Sequence, residues 1–418
     1  MSKSEIAVTG VGILSSLGCG IEKFNEALLN GRSGFEKYDS PFIPYIAPLS
    51  EQVANEFRMP ENAPDEMKQR ADKILRRMPF SVKTATYAVV EAMNSAGLID
   101  AGTEQKDDIA IVAGGSNMSA KFEFDAFCKF LDAPEYVRPS YAIQHFDTNY
   151  IGVISEILDI HGPGMTTGGA SASGNVCLIE GMRLIKSQDA SVCICFAPIY
   201  ECPEIELSSF VNLRAFGDYS VFENPCEASR PFDERHAGFV PGQAAACIIL
   251  EESGHAVARN AEILGYMSGG AIVLDGNHLS NANSKGEERA IRKAIYNAGI
   301  TPYDIDYVNA HGTSTPGGDA MEAEALLKVF NSSKSGKPLI NSTKSLTGHC
   351  MYSAGIVEAI ACICQLRGGY VHGNKNLDKA ICDELNFPKK TLREQSMRYA
   401  LSNSFGFGGI NTAIVIEK

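Results

Sequence analysis

No uninterrupted apolar run approaches the roughly 18 residues that a membrane-spanning helix requires, which excludes an integral helical membrane protein. Positive charge is also in short supply. Lys and Arg total 37 against 50 Asp and Glu, a formal charge of −13, so the surface as a whole repels phosphate and nucleic acid is excluded as the main partner. There is no C-x-x-C pair, and the eight histidines do not flank the twelve cysteines at metal-ligand spacings, so no metal site is expected. Low-complexity tracts, long charge blocks and Pro/Ser-rich linkers are missing as well, which excludes a disordered or fibrous chain. Met1 to Gly12 runs into a strand-like pattern without a signal-peptide cleavage site, and a cytoplasmic location is expected. The cysteines fit it, since stretches such as Cys193-Ile194-Cys195 and Cys362-Ile363-Cys364 place free thiols in apolar company.

What is present is an ordinary globular composition over 418 residues, 44% hydrophobic and 21% charged, with short apolar runs alternating with helical patterns. That alternation predicts an α/β fold with buried strands. The chain also echoes itself. A helix ending at Ala96-Gly97, a polar loop and the strand Asp108 to Val112 lead to Ala113-Gly114; a helix ending at Ala298-Gly299, a loop and the strand Asp304 to Val308 lead to His311-Gly312. Each glycine after its helix supplies a left-handed C-cap. Likewise Met165 to Gly174 opens a helix running to about Ser187, and Asn341 to His349 opens one running to about Leu366. Two related halves follow, residues 1–257 and 258–418, and if they pack about a pseudo-twofold axis the loops bearing Ser171, His311 and His349 converge on one site.

Gly10-Val11-Gly12 looks like part of a dinucleotide fingerprint, but Ser15 stands where the third glycine belongs and no acidic residue closes a second strand. A tight strand-to-loop turn is the better reading. Ser171 lies where a small-residue loop enters a helix, a place that favours negative charge. Asp319 and Glu322 follow His311 one turn apart, and Lys344 and His349 lie five residues apart in the repeat-equivalent loop. Two histidines, a lysine, an acidic pair and a nucleophile position in mirrored loops point to catalysis.

At these residues the chain resembles the β-ketoacyl-acyl carrier protein synthases of the thiolase-like superfamily. The resemblance runs through Val8-Thr9-Gly10-Val11-Gly12, Ser229 to Asp233, Gly238-Phe239-Val240, His311 to Asp319, Thr343 to His349 and Asn403 to Gly409. It implies a five-layered αβαβα fold of two halves, a homodimer, and a substrate carried on the phosphopantetheine of an acyl carrier protein with no other cofactor. It also implies that His311 and His349 donate to a thioester oxygen, that Lys344, held by Glu322, biases that network with Asp319 and Glu358 in support, and that Phe407 gates the site with Phe239 beside it. Lys73, Arg76 and Arg77 match the family's carrier-docking patch, with Arg214 on its other flank.

One departure decides the function expected. The family's nucleophile is a cysteine before Ala, a small hydroxylated residue and Gly; Ala172-Ser173-Gly174 match, but Ser171 holds the cysteine's place, and Cys177 and Cys193 are out of register. A helix N-terminus can lower a thiol's pKa by several units, whereas an alcohol needs an adjacent base. Condensation is therefore expected to be crippled while loss of CO2 from a malonyl thioester, which needs only oxyanion donors, survives. The expected activity is that of the serine-bearing malonyl-carrier protein decarboxylases of polyketide β-branching. The alternatives are a condensing enzyme with its cysteine replaced, a non-catalytic chain-length-factor-like subunit, and acyl transfer by Ser171 itself. After His349, where the family prefers small residues, stand Cys350-Met351-Tyr352-Ser353, whose bulk would shorten or fill an acyl pocket.

Overall fold

A computed structural model describes residues 5–217, 222–277, 281–330 and 337–418. The first half contains β1 (Ile6–Ser15), α1 (Phe80–Ser95), β2 (Ile109–Gly114), α2 (Thr148–Leu158), β3 (Gly164–Thr167), α3 (Ser173–Lys186), β4 (Val192–Ala197) and β5 (Ala244–Glu252). The second contains β6 (Gly265–Leu274), α4 (Ser284–Ala298), β7 (Tyr307–Asn309), α5 (Pro316–Phe330), β8 (Leu339–Asn341), α6 (Ala354–Gly368), β9 (Tyr399–Gly406) and β10 (Ile410–Glu417). The order of elements is the same in both.

These strands join in the order β8-β7-β9-β10-β6-β1-β5-β4-β2-β3. Within each half the strand pairings carry the same directions, two antiparallel and then two parallel, and β1 meets β6 only at Ala7–Tyr266 and Val8–Gly265. The sheet thus reads identically outward from its middle, which is the pseudo-twofold relation.

Side-chain alternation builds five layers from it. Ala110, Val112, Cys193 and Cys195 face one apolar cluster with α3 and α6, while Ile109, Ile111, Val192 and Ile194 face another with α1 and α2. In the second half Ile414 and Ile416 face the central cluster, and Ala413 and Val415 face α4 and α5. Helices α3 and α6 therefore lie between two sheet halves, with a helical layer outside each. Helix α6 is buried from Ala354 to Leu366, as a helix enclosed on all sides must be, and over those residues it is apolar around its circumference except for Glu358 and Gln365.

Two close approaches depend on missing side chains. Gly10 and Gly12 lie within β1, not in a turn, because α1 crosses them so closely that a Cβ would stand 2.2 Å from the Ala92 oxygen and 2.0 Å from the Ala88 oxygen. The tight turn read from the sequence is corrected accordingly. At the molecular centre the N-terminal ends of α3 and α6 meet: a Cβ on Gly174 would stand 2.7 Å from the Ile356 nitrogen, and one on Gly355 2.6 Å from the Asn175 nitrogen. Gly355→Ala must push these backbones apart, and we expect it to lower stability by about 2–3 kcal/mol in a urea melt.

Candidate active site

Parallel register brings the residues after β7 and β8 together. Asn309 pairs with Asn341, so His311 and Lys344, two and three residues further on, emerge side by side. The Glu322 carboxylate then fixes the chain after β7, accepting from the His311 nitrogen at 2.8 Å and the Gly312 nitrogen at 2.7 Å. Asp319 does the same one turn earlier for the Phe232 nitrogen at 2.7 Å and the Ser314 nitrogen at 3.1 Å, and it also meets His236 Nδ1 at 3.0 Å. His349 is held by its own backbone, donating to the Val240 oxygen at 2.8 Å and accepting from the Gly242 nitrogen at 2.9 Å. This pairing sets the Phe239 ring edge-on against the imidazole, with centroids 5.2 Å apart.

Ser171 sits in the 3₁₀ turn Ala170–Ala172 immediately before α3. Ala170 is in the left-handed region at φ 50°, and Ser173 ties the turn by accepting from the Gly169 nitrogen at 2.9 Å and donating to the Ala170 oxygen at 2.7 Å. The contact of α3 with α6 carries this turn to His349, whose Nε2 lies 2.9 Å from Ser171 Oγ. His311 and His349 face each other edge to plane, centroids 5.5 Å apart. The three loops expected to converge do so.

The tautomers follow from their partners. The Met351 backbone N–H donates to His349 Nδ1 at 3.2 Å, so a neutral His349 carries its proton on Nε2 and donates to Ser171 Oγ. Lys344 Nζ lies 3.4 Å from His311 Nδ1, which likewise leaves the His311 Nε2–H as the donor. Burial, then the charge of Lys344, holds both imidazoles well below their ordinary pKa, with His349 adding to the effect on His311. Lys344 is not held by Glu322, as the sequence suggested, but by Glu358 of α6, with which it forms a short, fully buried ion pair. The two carboxylates divide the work, Glu322 shaping the backbone and Glu358 the lysine. Burial pushes each of them up to about 7, against the hydrogen bonds that Glu322 accepts and the attraction of Lys344 for Glu358.

Phe407 stands 43% exposed beyond the end of β9, its ring 6.5 Å from that of Phe210. Phe405, which the sequence reading missed, packs on His311 at 5.5 Å; only its place two residues before Phe407 on the same strand face signals it. Lys73, Arg76 and Arg77 line one groove of about 880 Å³, whereas Arg214, exposed after another helix, is not among its lining residues. Cys177 and Cys193 are buried free thiols raised in pKa, Cys177 chiefly by burial and Cys193 chiefly by its hydrogen bond with Cys195.

Comparison with known proteins places this architecture. The family description "Beta-ketoacyl synthase, N-terminal domain" matches residues 3–256, and "Beta-ketoacyl synthase, C-terminal domain" matches residues 263–378. The chain belongs to the β-ketoacyl synthase family. It is 33% identical over 422 residues to the polyketide biosynthesis malonyl-ACP decarboxylase PksF of Bacillus subtilis (strain 168), covering 99% of this chain and 96% of that protein. It is also 30% identical over 428 residues to 3-oxoacyl-(acyl-carrier-protein) synthase 2 of Coxiella burnetii (strain RSA 493 / Nine Mile phase I), covering 100% and 99%. A β-ketoacyl synthase structure from Burkholderia phymatum STM815 superimposes with a TM-score of 0.87 at 26% identity, covering 99% of both chains. The ketosynthase fold recurs in a type II polyketide synthase structure that contains its acyl-carrier protein, TM-score 0.85 at 23% identity, covering 100% of both chains. The thiolase-like fold is thereby established.

The depressed imidazole pKa values carry a measurable sign. A histidine with its ordinary pKa gains a proton as pH falls through about 6.5. His311 and His349 should instead keep neutral-ring ¹³C shifts through that value, and titration of either at 6.5 would contradict their burial.

Proposed function

We propose that this protein removes CO2 from malonyl-acyl carrier protein to give acetyl-acyl carrier protein, in polyketide biosynthesis. The observation that carries this reading is that Met351 N–H engages His349 Nδ1 and Lys344 engages His311 Nδ1, which leaves Nε2–H as the donor on each ring, that of His349 directed at Ser171. Neither ring is arranged to take a proton from Ser171. A hydroxyl without a base is a poor nucleophile, so the acyl-enzyme needed for condensation is disfavoured.

Decarboxylation needs only that arrangement of donors. With the thioester oxygen between the two Nε2–H groups, the bond from C2 to the carboxylate breaks, its electron pair moves into the enolate, and CO2 departs. The donors meet the growing charge on oxygen, each worth about 3–4 kcal/mol of barrier. A proton delivered to C2 completes the acetyl thioester. Lys344, positioned by Glu358, keeps His311 in the donating tautomer. Phe239, Phe405 and Phe407 present apolar surface around the site, which weakens hydration of the departing carboxylate. The likeness to a malonyl-ACP decarboxylase supports this reading, although the likeness to 3-oxoacyl synthases is nearly as strong.

The substrate is proposed to arrive on the phosphopantetheine arm of an acidic carrier protein docked at the groove bearing Lys73, Arg76 and Arg77. A homodimer is also proposed, because helix Ala120–Asp132 buries none of its residues and exposes Phe127, Phe130 and Leu131. Light scattering should give twice the 45.0 kDa chain mass, and a monomer at micromolar concentration would refute the dimer.

Incubation with malonyl-carrier protein, followed by intact mass, tests the chemistry. We expect acetyl-carrier protein with no adduct on the enzyme. Ser171→Ala should retain most of the rate, whereas His311→Ala and His349→Ala should each lose about 10²–10³-fold. Equal loss in all three would assign chemistry to the hydroxyl, and untouched malonyl would leave a partner-subunit role. In the same assay, Lys73→Glu/Arg77→Glu should raise KM with little change in kcat.

A further inference from the structure

A buried histidine outside the decarboxylation chemistry stands behind the two chain segments that present His311 and Lys344. His372 follows the short strand Tyr370–Val371 after α6 and is fully buried. Its nitrogen donates to Gln365 Oε1 of α6 at 2.9 Å, and its oxygen accepts from Asn341 Nδ2, at the end of β8, at 2.8 Å. Both ring nitrogens are engaged as well. A carbonyl only accepts, so the contact of Nδ1 with the Gly373 oxygen at 3.0 Å places the ring proton on Nδ1. Nε2 is then an acceptor, and it faces Thr343 Oγ1 at 3.1 Å. Burial holds the pKa of this ring down to about 4, against its bond to Gly373, so the ring is neutral at pH 7.

The Thr343 hydroxyl joins the two segments. Its proton goes to His372 Nε2, and its oxygen accepts from Asn309 Nδ2 at 2.7 Å. The bonds therefore run in one direction, from Asn309 through Thr343 and His372 to the Gly373 oxygen. Turning the hydroxyl toward Asn309 would set it against the amide N–H and leave His372 Nε2 without a donor, a costly exchange where no water reaches. Asn309 ends β7 two residues before His311, and Thr343 immediately precedes Lys344. On the other side of His311, Ser342 Oγ donates to the Gly312 oxygen at 2.7 Å. The two hydroxyls thus bracket the imidazole, fastening its segment to that of the lysine that it meets at 3.4 Å. Glu322 and Glu358 do not make this link, since Glu322 holds the backbone of one segment and Glu358 the lysine of the other.

We propose that Thr343 and His372 are positioning residues: the hydroxyl, oriented by His372, keeps His311 and Lys344 in register and so holds His311 in the tautomer that donates from Nε2. The effect on rate rests on the functional reading given above, whereas the tautomer is a property of the protein without substrate.

Histidine ¹³Cδ2 shifts separate the two neutral tautomers, and each signal is assigned by its loss when that histidine is substituted. In the full chain we expect the Nε2–H signature for His311 and the opposite, Nδ1–H, signature for His372. Thr343→Val, which keeps the branched shape and removes the hydroxyl, should leave His311 a mixture of the two forms, and Thr343→Ser should restore the single form. His372→Phe should act like Thr343→Val, and it covers the case in which that variant fails to fold. His372→Gln, whose amide oxygen can accept from Thr343, should act like Thr343→Ser. With malonyl-carrier protein, the two disrupting variants should lose about tenfold in kcat with KM within about twofold of the unaltered protein. An Nε2–H signature at His372 overturns the proposal. So does an unchanged His311 signature in the folded Thr343→Val and His372→Phe variants, even where their melting temperatures fall, because that is the mark of a structural role alone. Absence of decarboxylation by the unaltered protein would sink the functional reading, while the tautomer signatures still decide between the outcomes for Thr343 and His372.

Discussion

The approach of two helix ends at Gly174 and Gly355 is the contact on which the site depends. Helices α3 and α6 come from different halves; Ser171 lies in the turn immediately before α3, and His349 lies five residues before α6. With Cβ positions 2.6 and 2.7 Å from the opposing backbone, neither position has space for a side chain. The absence of two methyl groups lets Ser171 Oγ and His349 Nε2 come within 2.9 Å, although the residues are 178 apart in sequence. Strand register does the same for His311 and Lys344 within one half.

Around that contact the protein has placed charge where it is costly. Lys344 and Glu358 are both about 1% exposed, and a buried ion pair contributes little net stability once desolvation is counted. Its role is better sought in geometry. Pinned by Glu358, Lys344 faces His311 Nδ1 and fixes the tautomer, while the low-polarity surroundings keep the ring neutral. In the proposed decarboxylation, a neutral donor is suited to the enolate oxygen because it stabilises the growing charge without holding the ground-state carboxylate as a cation would.

Much of this was legible in the sequence. The repeated helix–loop–strand plan foretold two halves, and the mirrored loops foretold that Ser171, His311 and His349 would meet. What failed to read through has physical causes. Gly10 and Gly12 look like turn residues, since sequence records a missing side chain without saying whether backbone freedom or a neighbouring helix demands it. The resemblance implied that Glu322 holds Lys344, but Glu358 is brought in by α6 from the central layer, where a lone acid in an apolar helix marks a buried partner. Phe405 was overshadowed by Phe407, two positions away, because alternation gives both one face and only the end of β9 separates the ring packed on His311 from the exposed one.

That separation has a mechanical consequence. Gly406 is pressed against the Gly169 oxygen, at 2.2 Å from where its Cβ would be, while Gly408, at φ 93°, has nothing within 4 Å of that position. The backbone is therefore confined at Gly406, behind which Phe405 rests on His311, and unconfined at Gly408, on the far side of Phe407. The end of this strand is thus anchored at the residue that supports His311 and unconfined two residues further on, so displacement of the tip need not disturb the imidazole.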